Sequence, residues 1–597
     1  ERTSSGIQPG TGNGLTITKY LDLGGFIDLN GESQLIQTQG SVLVGNGSVQ
    51  KDQQGTGSSF NYNYWTSPVS ISGKPQNSGF KITSVLKDGT DPYNPKIIDF
   101  NPQYHYADWQ IASPIKMSSY WIYKFFGDSN KYSQWERLDV NNSLLKSGEG
   151  FSMKGSSGLK KIEDLQNYVF TGMPNNDTIS LSITTGKNYL IGNPYPSAID
   201  ANEFILDNIG QRRNGTNVFN GSLYFWSHFS GYTHYLQEYV GGYAVYNLSG
   251  GIKAIANDER INATGVEGGE KPQQYIPVSQ AFFVSSALDE SISEQTGITI
   301  HGGDILFKNS QRSFVPEIDK NKSVFHSQEK KSIKAAASTA AEETRKRIWI
   351  EFKSPEGYHR QLLVTADEKT TTGFDLGYDA TLIENNKEDM YWLLHEVELI
   401  IQGVPDFHES RILPLGIKTS KGGAFTISID ELENIDDKFP IYIKDNVTGT
   451  YHNLQDSDFT ASIEKGNIHD RYSLVFSTDE DPNGGTGGSG EGEGDGTGNP
   501  DGGNDIIVDK PQLPQPITDG IELLYSAKQK EVIIKNYNLL PVKKVVLYNA
   551  LGQEIHSYNN IALINTVELP VDVPSEGMYF VRVYLESSTL VLKFLVE

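Results

Sequence analysis

The sequence has 597 residues, too many for one hydrophobic core; at roughly 100–200 residues per domain it holds about three to five units. Its 74 Asp and Glu outweigh 50 Lys and Arg, and the net charge of −24 argues against nucleic acid and against electrostatic docking on anionic lipid. With no cysteine, disulfide frameworks, Cys-ligated zinc, iron–sulfur clusters and thiol catalysis are excluded, which accords with an exposed, extracytoplasmic chain.

The chain opens Glu1-Arg2-Thr3-Ser4-Ser5, with no initiator Met, basic n-region or apolar h-region. The expectation is a removed leader or a longer parent protein, and the next residues favour the parent. Within 1–51, apolar residues recur in short alternating pairs: Leu15/Ile17, Leu21/Leu23, Ile27/Leu29 and Val42/Val44. Gly24-Gly25, Asn30-Gly31 and Gly45-Asn46-Gly47 separate them. This spacing fits either about two terminal rungs of a parallel β-helix or a hairpin pair capping the next domain.

From 52 to 315, aromatic alternation marks short strands, as in Phe60-Asn61-Tyr62-Asn63-Tyr64-Trp65, Tyr120-Trp121-Ile122-Tyr123 and Leu223-Tyr224-Phe225-Trp226. Period-2 patterning between Gly, Asn, Pro and Asp turns predicts a β-sandwich or jelly-roll-like domain, with one or two helical turns over Ala198 to Asp207. The aromatics fill the inner face of such a sandwich; the other use for them is as a stacking platform for sugar rings, with Trp121 and Trp226 the residues to test. Residues 316–346, rich in Lys and Ala, form a linker. A second sandwich occupies 347–477, with strands such as Ile348-Trp349-Ile350-Glu351-Phe352 and Tyr472-Ser473-Leu474-Val475-Phe476, and a short helix from Asn385 to Leu394.

Residues 478–517 are a flexible tether. Between 479 and 505 there are eight acids, eleven Gly and no Lys or Arg, so nothing there can bury a core and like charges repel. Pro511, Pro514 and Pro516 stiffen the approach to a last module, 518–597, whose tight alternation predicts about seven strands in a small Ig-like sandwich. The chain as a whole therefore reads as mostly β, a tandem of β-sandwich domains. No run approaches 18 apolar residues, so no transmembrane helix is expected.

Motifs for catalysis are missing: there is no G-x-S-x-G elbow, phosphate loop or H-E-x-x-H helix, and His395-Glu396-Val397-Glu398 lacks the second His. Carboxylate pairs of the glycosidase kind stay open, because sequence spacing fixes none of them. His228 and His234 flank the Ser230-Gly231 turn but bring no third metal ligand, so packing or surface histidines are the plainer account. Asp88, Asp91 and Asp99 offer oxygens to Ca²⁺ in a loop, with a solvated acidic turn again the plainer account. No cofactor and no enzyme activity are expected.

The last module carries a resemblance. Pro541-Val542-Lys543-Lys544-Val545-Val546-Leu547-Tyr548-Asn549-Ala550-Leu551-Gly552-Gln553-Glu554-Ile555, then Gly577-Met578-Tyr579-Phe580-Val581-Arg582-Val583 and Lys593-Phe594-Leu595-Val596 resemble the type A C-terminal sorting domain of the Bacteroidetes type IX secretion system. Segments such as Tyr62-Asn63-Tyr64-Trp65-Thr66-Ser67-Pro68-Val69 and Gly192-Asn193-Pro194-Tyr195-Pro196-Ser197 are similar to those of large surface proteins from the same phylum. The resemblance implies export to the outer-membrane cell surface through a translocon with shuttle and sortase proteins. It also implies cleavage in the tether and attachment to lipopolysaccharide. Gly552 and Gly577 would supply turn geometry, Tyr579 and Val581 would share one face, and the strand bearing Lys593 would pair with a partner's sheet edge. The expected cargo is an adhesin or gliding-motility surface protein; a polysaccharide-binding or glycan-degrading protein and a passive stalk are the alternatives.

Overall fold

The computed structural model describes residues 12–478, apart from 110, 129–131, 257–263, 318–322, 324–342 and 385, together with the strands of the last module between 521 and 596. The chain is mostly β and divides into two compact units, Glu1–Gly484 and Gly485–Glu597.

Six short strands open the first unit: β1 Gly14–Ile17, β2 Tyr20–Asp22, β3 Phe26–Leu29, β4 Gln34–Gln37, β5 Val42–Val44 and β6 Ser48–Thr56. Each of the first three pairs in parallel with the strand one turn later, Gly14 opposite Gln34, Tyr20 opposite Val42 and Phe26 opposite Ser48. These are two rungs of a parallel β-helix, and hairpins, whose strands run antiparallel, are ruled out. Leu23, Ile27, Leu29, Leu35 and Val49 fill the space between the sides. Gly45 sits at φ +97°, and a β-carbon there would run into the Leu23 carbonyl oxygen, so the corner between rungs takes glycine.

The rungs are joined directly to the aromatic-rich region. β6 lies parallel to β3 on one edge and antiparallel to Leu165–Pro174 on the other, in a six-stranded sheet. Gln34 Nε2 donates to Val315 O at 2.8 Å and Arg312 donates to Leu35 O at 2.6 Å, so the far end of the region closes over the second rung. A nine-stranded sheet runs from Gly250–Ile252 to Tyr62–Trp65 and carries most of the aromatic alternation. The predicted helix is present at Ala201–Leu206, where Asp200 accepts from the Asn202 and Glu203 amides as N-cap.

An eleven-stranded sheet occupies Arg347–Val475. Here the helix expected over Asn385 to Leu394 is corrected: Asp389–Leu394 is a strand, paired with Val397–Val404 and Ile412–Thr419. Met390, Tyr391 and Trp392 are all buried, and His395-Glu396 makes the exposed turn after them. Tertiary pairing of an apolar run has overridden a helix-compatible composition. The buried Arg360 donates to both carboxylate oxygens of Asp389, at 2.7 and 2.8 Å, which anchors the strand's first residue.

Among the described residues no sheet joins strands from the two sides of 316–346, but the core does span it. Tyr64, Trp226 and Ile252 belong to the same hydrophobic cluster as Trp349 and Leu363. Trp349 Nε1 donates to Gly251 O at 2.8 Å, and the Lys271 ammonium lies 3.8 Å from the Trp349 ring centroid. The linker expected at 316–346 and the tether at 478–517 lie outside the described residues but for 316, 317, 323, 343–346 and 478. Where the first is described, Arg345 is held by Glu343, Asp367 and the Leu248 carbonyl.

In the last module, seven strands make a three-stranded sheet, Ile521–Ser526, Glu531–Asn536 and Thr566–Pro570, and a four-stranded one. The latter orders Glu554–Asn559, Lys544–Asn549, Gly577–Tyr584 and Thr589–Val596, all antiparallel. Val532, Ile534 and Leu569 from one sheet and Val545, Val581 and Val583 from the other share a core, as an Ig-like sandwich requires.

Candidate functional site

The site grows out of one strand pair in the first unit. Tyr62–Trp65 lies antiparallel to Phe151–Lys154 with Tyr62 opposite Lys154. Lys154 is only 3% exposed. Its ammonium nitrogen lies 3.9 Å from the Trp121 ring centroid, 4.8 Å from that of Tyr62 and 4.9 Å from that of Tyr239. Burial pulls its pKa down to about 6, against the opposing pull of the Asp108 charge. The Lys154 nitrogen donates to Tyr239 Oη at 2.7 Å and stands 2.9 Å from His234 Nδ1.

The imidazole passes the chain of contacts on. His234 Nε2 is 3.1 Å from each oxygen of Asp108, so it carries the proton and leaves Nδ1 to accept from Lys154. Asp108 also accepts from Ser59 Oγ at 2.9 Å. On its face, His234 stacks with Trp121 at 4.7 Å between centroids and 20° between planes. Trp121 is half-buried and its Nε1 donates to Tyr104 O at 2.6 Å. Lysine, histidine and aspartate thus pin together two loops, one around 104–109 and one around 232–239.

What the pinned loops present to solvent is aromatic. Tyr104 and Tyr120 are exposed beside Trp121, and the Arg137 guanidinium covers the Tyr120 ring at 4.7 Å. Tyr232 meets Phe60 edge-on, and Trp109 and Tyr235, at 74% and 71%, are among the most exposed large side chains. Singly exposed aromatics are ordinary; here several lie on two adjoining loops. Sequence reasoning singled out Trp121 but missed Lys154, Asp108 and the role of His234. Their partners lie up to 126 residues apart, and no motif spacing records such a contact.

Other expectations fall differently. Trp226 is 5% exposed and packs on Tyr64 and Tyr243, so as a sugar platform it is corrected to a core residue. His228 is buried, with Nε2 at 3.0 Å from Ser230 O, and burial takes its pKa down to about 3. With both nitrogens of His234 engaged as well, the histidine pair is a packing feature. Asp88 is spent on Thr90, Ile115 and Gln166, while Asp99 accepts from Tyr106 Oη. Asp88, Asp91 and Asp99 do not bring three side-chain ligand atoms together among the described residues.

In the last module, Tyr579 and Val581 are buried on one face of Gly577–Tyr584. Gly577 pairs with Val596 and Lys593 with Phe580 across the final strand pair. Among the described residues, Thr589–Val596 has a strand on one side only in its sheet. Gly552 lies outside the described residues.

A protein-family profile described as "Domain of unknown function (DUF8693)" matches residues 3–476. The chain belongs to this family. The DUF8693 region takes in the rungs, both large sheets and the aromatic surface, and the last module lies beyond it. No curated protein matches the chain. Among solved structures, "Central Fibronectin-III array of RIM-binding protein" is 10% identical, with 44% of this chain and 90% of that one covered and a TM-score of 0.09. "Biofilm associated protein - BSP domain" is also 10% identical, over 81% and 87%, with a TM-score of 0.10. Likenesses this slight bear on neither the fold nor the function of the DUF8693 region.

Proposed function

We propose that the protein is a secreted, outer-membrane cell-surface protein of the adhesin kind, exported through a type IX secretion system by its last module. Support comes from the separation of that module: it is a compact β unit of its own, joined through a segment rich in Gly and acid that a translocon can grip apart from the cargo. The strand Thr589–Val596 at its sheet edge offers the backbone groups that a shuttle or sortase partner would pair with. Tyr579 and Val581, being buried, act by holding the fold rather than by touching the partner. Deleting 518–597 in the native host should leave the protein in the periplasm; normal surface display of the truncated chain would overturn this reading.

The aromatic surface favours a second reading of the cargo, polysaccharide binding, because exposed Tyr and Trp faces stack on sugar rings while neighbouring polar groups bond the hydroxyls. Lys154 is sealed under three rings, so in this reading it props the surface and performs no chemistry. On an array of neutral polysaccharides, saturable binding should weaken at least about tenfold in Trp121→Ala, about 1.4 kcal/mol. Equal binding by that variant, with its fold intact by circular dichroism, would remove the polysaccharide reading and leave the export reading untouched.

A further inference from the structure

We propose that Glu267, Glu351 and His359 form a binding site for a divalent cation of the Zn²⁺ class. Each residue offers one ligand atom, and the three atoms all lie within 4.8 Å of one another. One ion with bonds of about 2.0–2.2 Å to nitrogen and oxygen can reach all three. The donors come from three strands: Val266–Gly268, Arg347–Lys353 and His359–Ala366.

Their approach is fixed by the backbone. The His359 amide donates to Gly265 O at 3.2 Å, and a β-carbon at Gly265 would run into Tyr358. His359 Nδ1 stands 2.6 Å from Glu351 Oε1. Lys253 reaches Glu267 Oε1 at 2.6 Å and Asp430 Oδ2 at 3.5 Å, and so orients the first carboxylate from outside. Gln361 Nε2 also donates to Asp430.

A separate observation points to a missing positive partner. Among the described residues, Glu351 Oε2 is sealed from solvent and meets no hydrogen-bond donor. Among the described residues, the carboxylates Glu267, Glu351 and Asp430 gather at the Lys253 ammonium, an acidic setting that suits a cation. The mixed donor set selects its class: Ca²⁺ and Mg²⁺ take oxygen ligands, whereas imidazole with carboxylate suits Zn²⁺ and its neighbours. Water would complete the shell. Such an ion would tie the strand before 270 to the first hairpin of the eleven-stranded sheet.

The test is calorimetric titration of ZnCl₂ into the chelator-washed full chain at pH 7.5. The wild type should bind with an affinity that falls at least about tenfold in both Glu267→Gln and His359→Ala, while His408→Ala, at an exposed histidine elsewhere, binds as the wild type does. Zn²⁺ should also raise the midpoint of thermal unfolding in the wild type and not in His359→Ala. No uptake by the wild type, or unchanged affinity in His359→Ala, would overturn the proposal. If those variants fail to fold, X-ray absorption of the Zn²⁺-loaded wild type decides. A shell of one imidazole with oxygens supports the site, and a shell of several imidazoles overturns it.

Discussion

Lys154 is a cation that the fold has removed from water and partly disarmed. In the unfolded chain a lysine holds its proton up to about pH 10.4; under the rings of Tyr62, Trp121 and Tyr239 it gives the proton up near pH 6. Between those values the unfolded state binds more protons than the folded state. The contribution of this group to stability therefore rises with pH from about 6 to about 10, by at most about 1.4 kcal/mol per pH unit. Denaturant unfolding at pH 6.5 and pH 9 should show the difference, and Lys154→Met, which keeps the bulk and loses the charge, should flatten it. An unchanged slope in that variant would place the pH dependence elsewhere. Nothing in Phe151-Ser152-Met153-Lys154 announces this lysine. Its surroundings are assembled from residues near 62, 121, 234 and 239, and only the folded chain brings them together.

At the scale of elements, the rungs were legible because their punctuation is local. Gly24-Gly25, Asn30-Gly31 and Gly45-Asn46-Gly47 mark corners, and the apolar pairs between them mark sides. Whether the sides stack or fold back is a question of long-range pairing, and the parallel register of Gly14 with Gln34 answers it. Gly45→Ala should test the corner: it places a side chain at positive φ and against the Leu23 carbonyl. Roughly 1–3 kcal/mol of destabilisation is expected, read as earlier proteolysis of the first 50 residues or a lower urea midpoint. A midpoint equal to wild type would show that the corner can relax. The strand Asp389–Leu394 was illegible for the opposite reason, since six residues are too few to separate a helical period from an extended one.

Across the whole molecule, turn signals and alternation placed the strand-rich regions, while the tether expected from composition lies outside the described residues but for 478. Eight of the 74 acids lie between 479 and 505 without a compensating base. What the pattern could not reveal is that the regions on either side of 316–346 bury side chains against each other, because Trp349 meeting Gly251 leaves no periodic trace. Scanning calorimetry should therefore give one cooperative transition for the first unit and a separate one for the last module. Two independent transitions within the first unit would contradict a shared core. Expressed without 347–477, the remainder would bare the apolar partners of Trp349 and Leu363 and should aggregate.

β6 has a mechanical meaning in this setting. A pull transmitted along the backbone at Ser48 runs down the strand's own axis, where eight register pairs with Leu165–Pro174 and four with β3 resist together. Those bonds are loaded in shear and must fail as a group, whereas a hairpin tugged at its open end unzips pair by pair. The rungs and the sandwich are therefore joined under tension like a rope splice, through a strand that both of them grip.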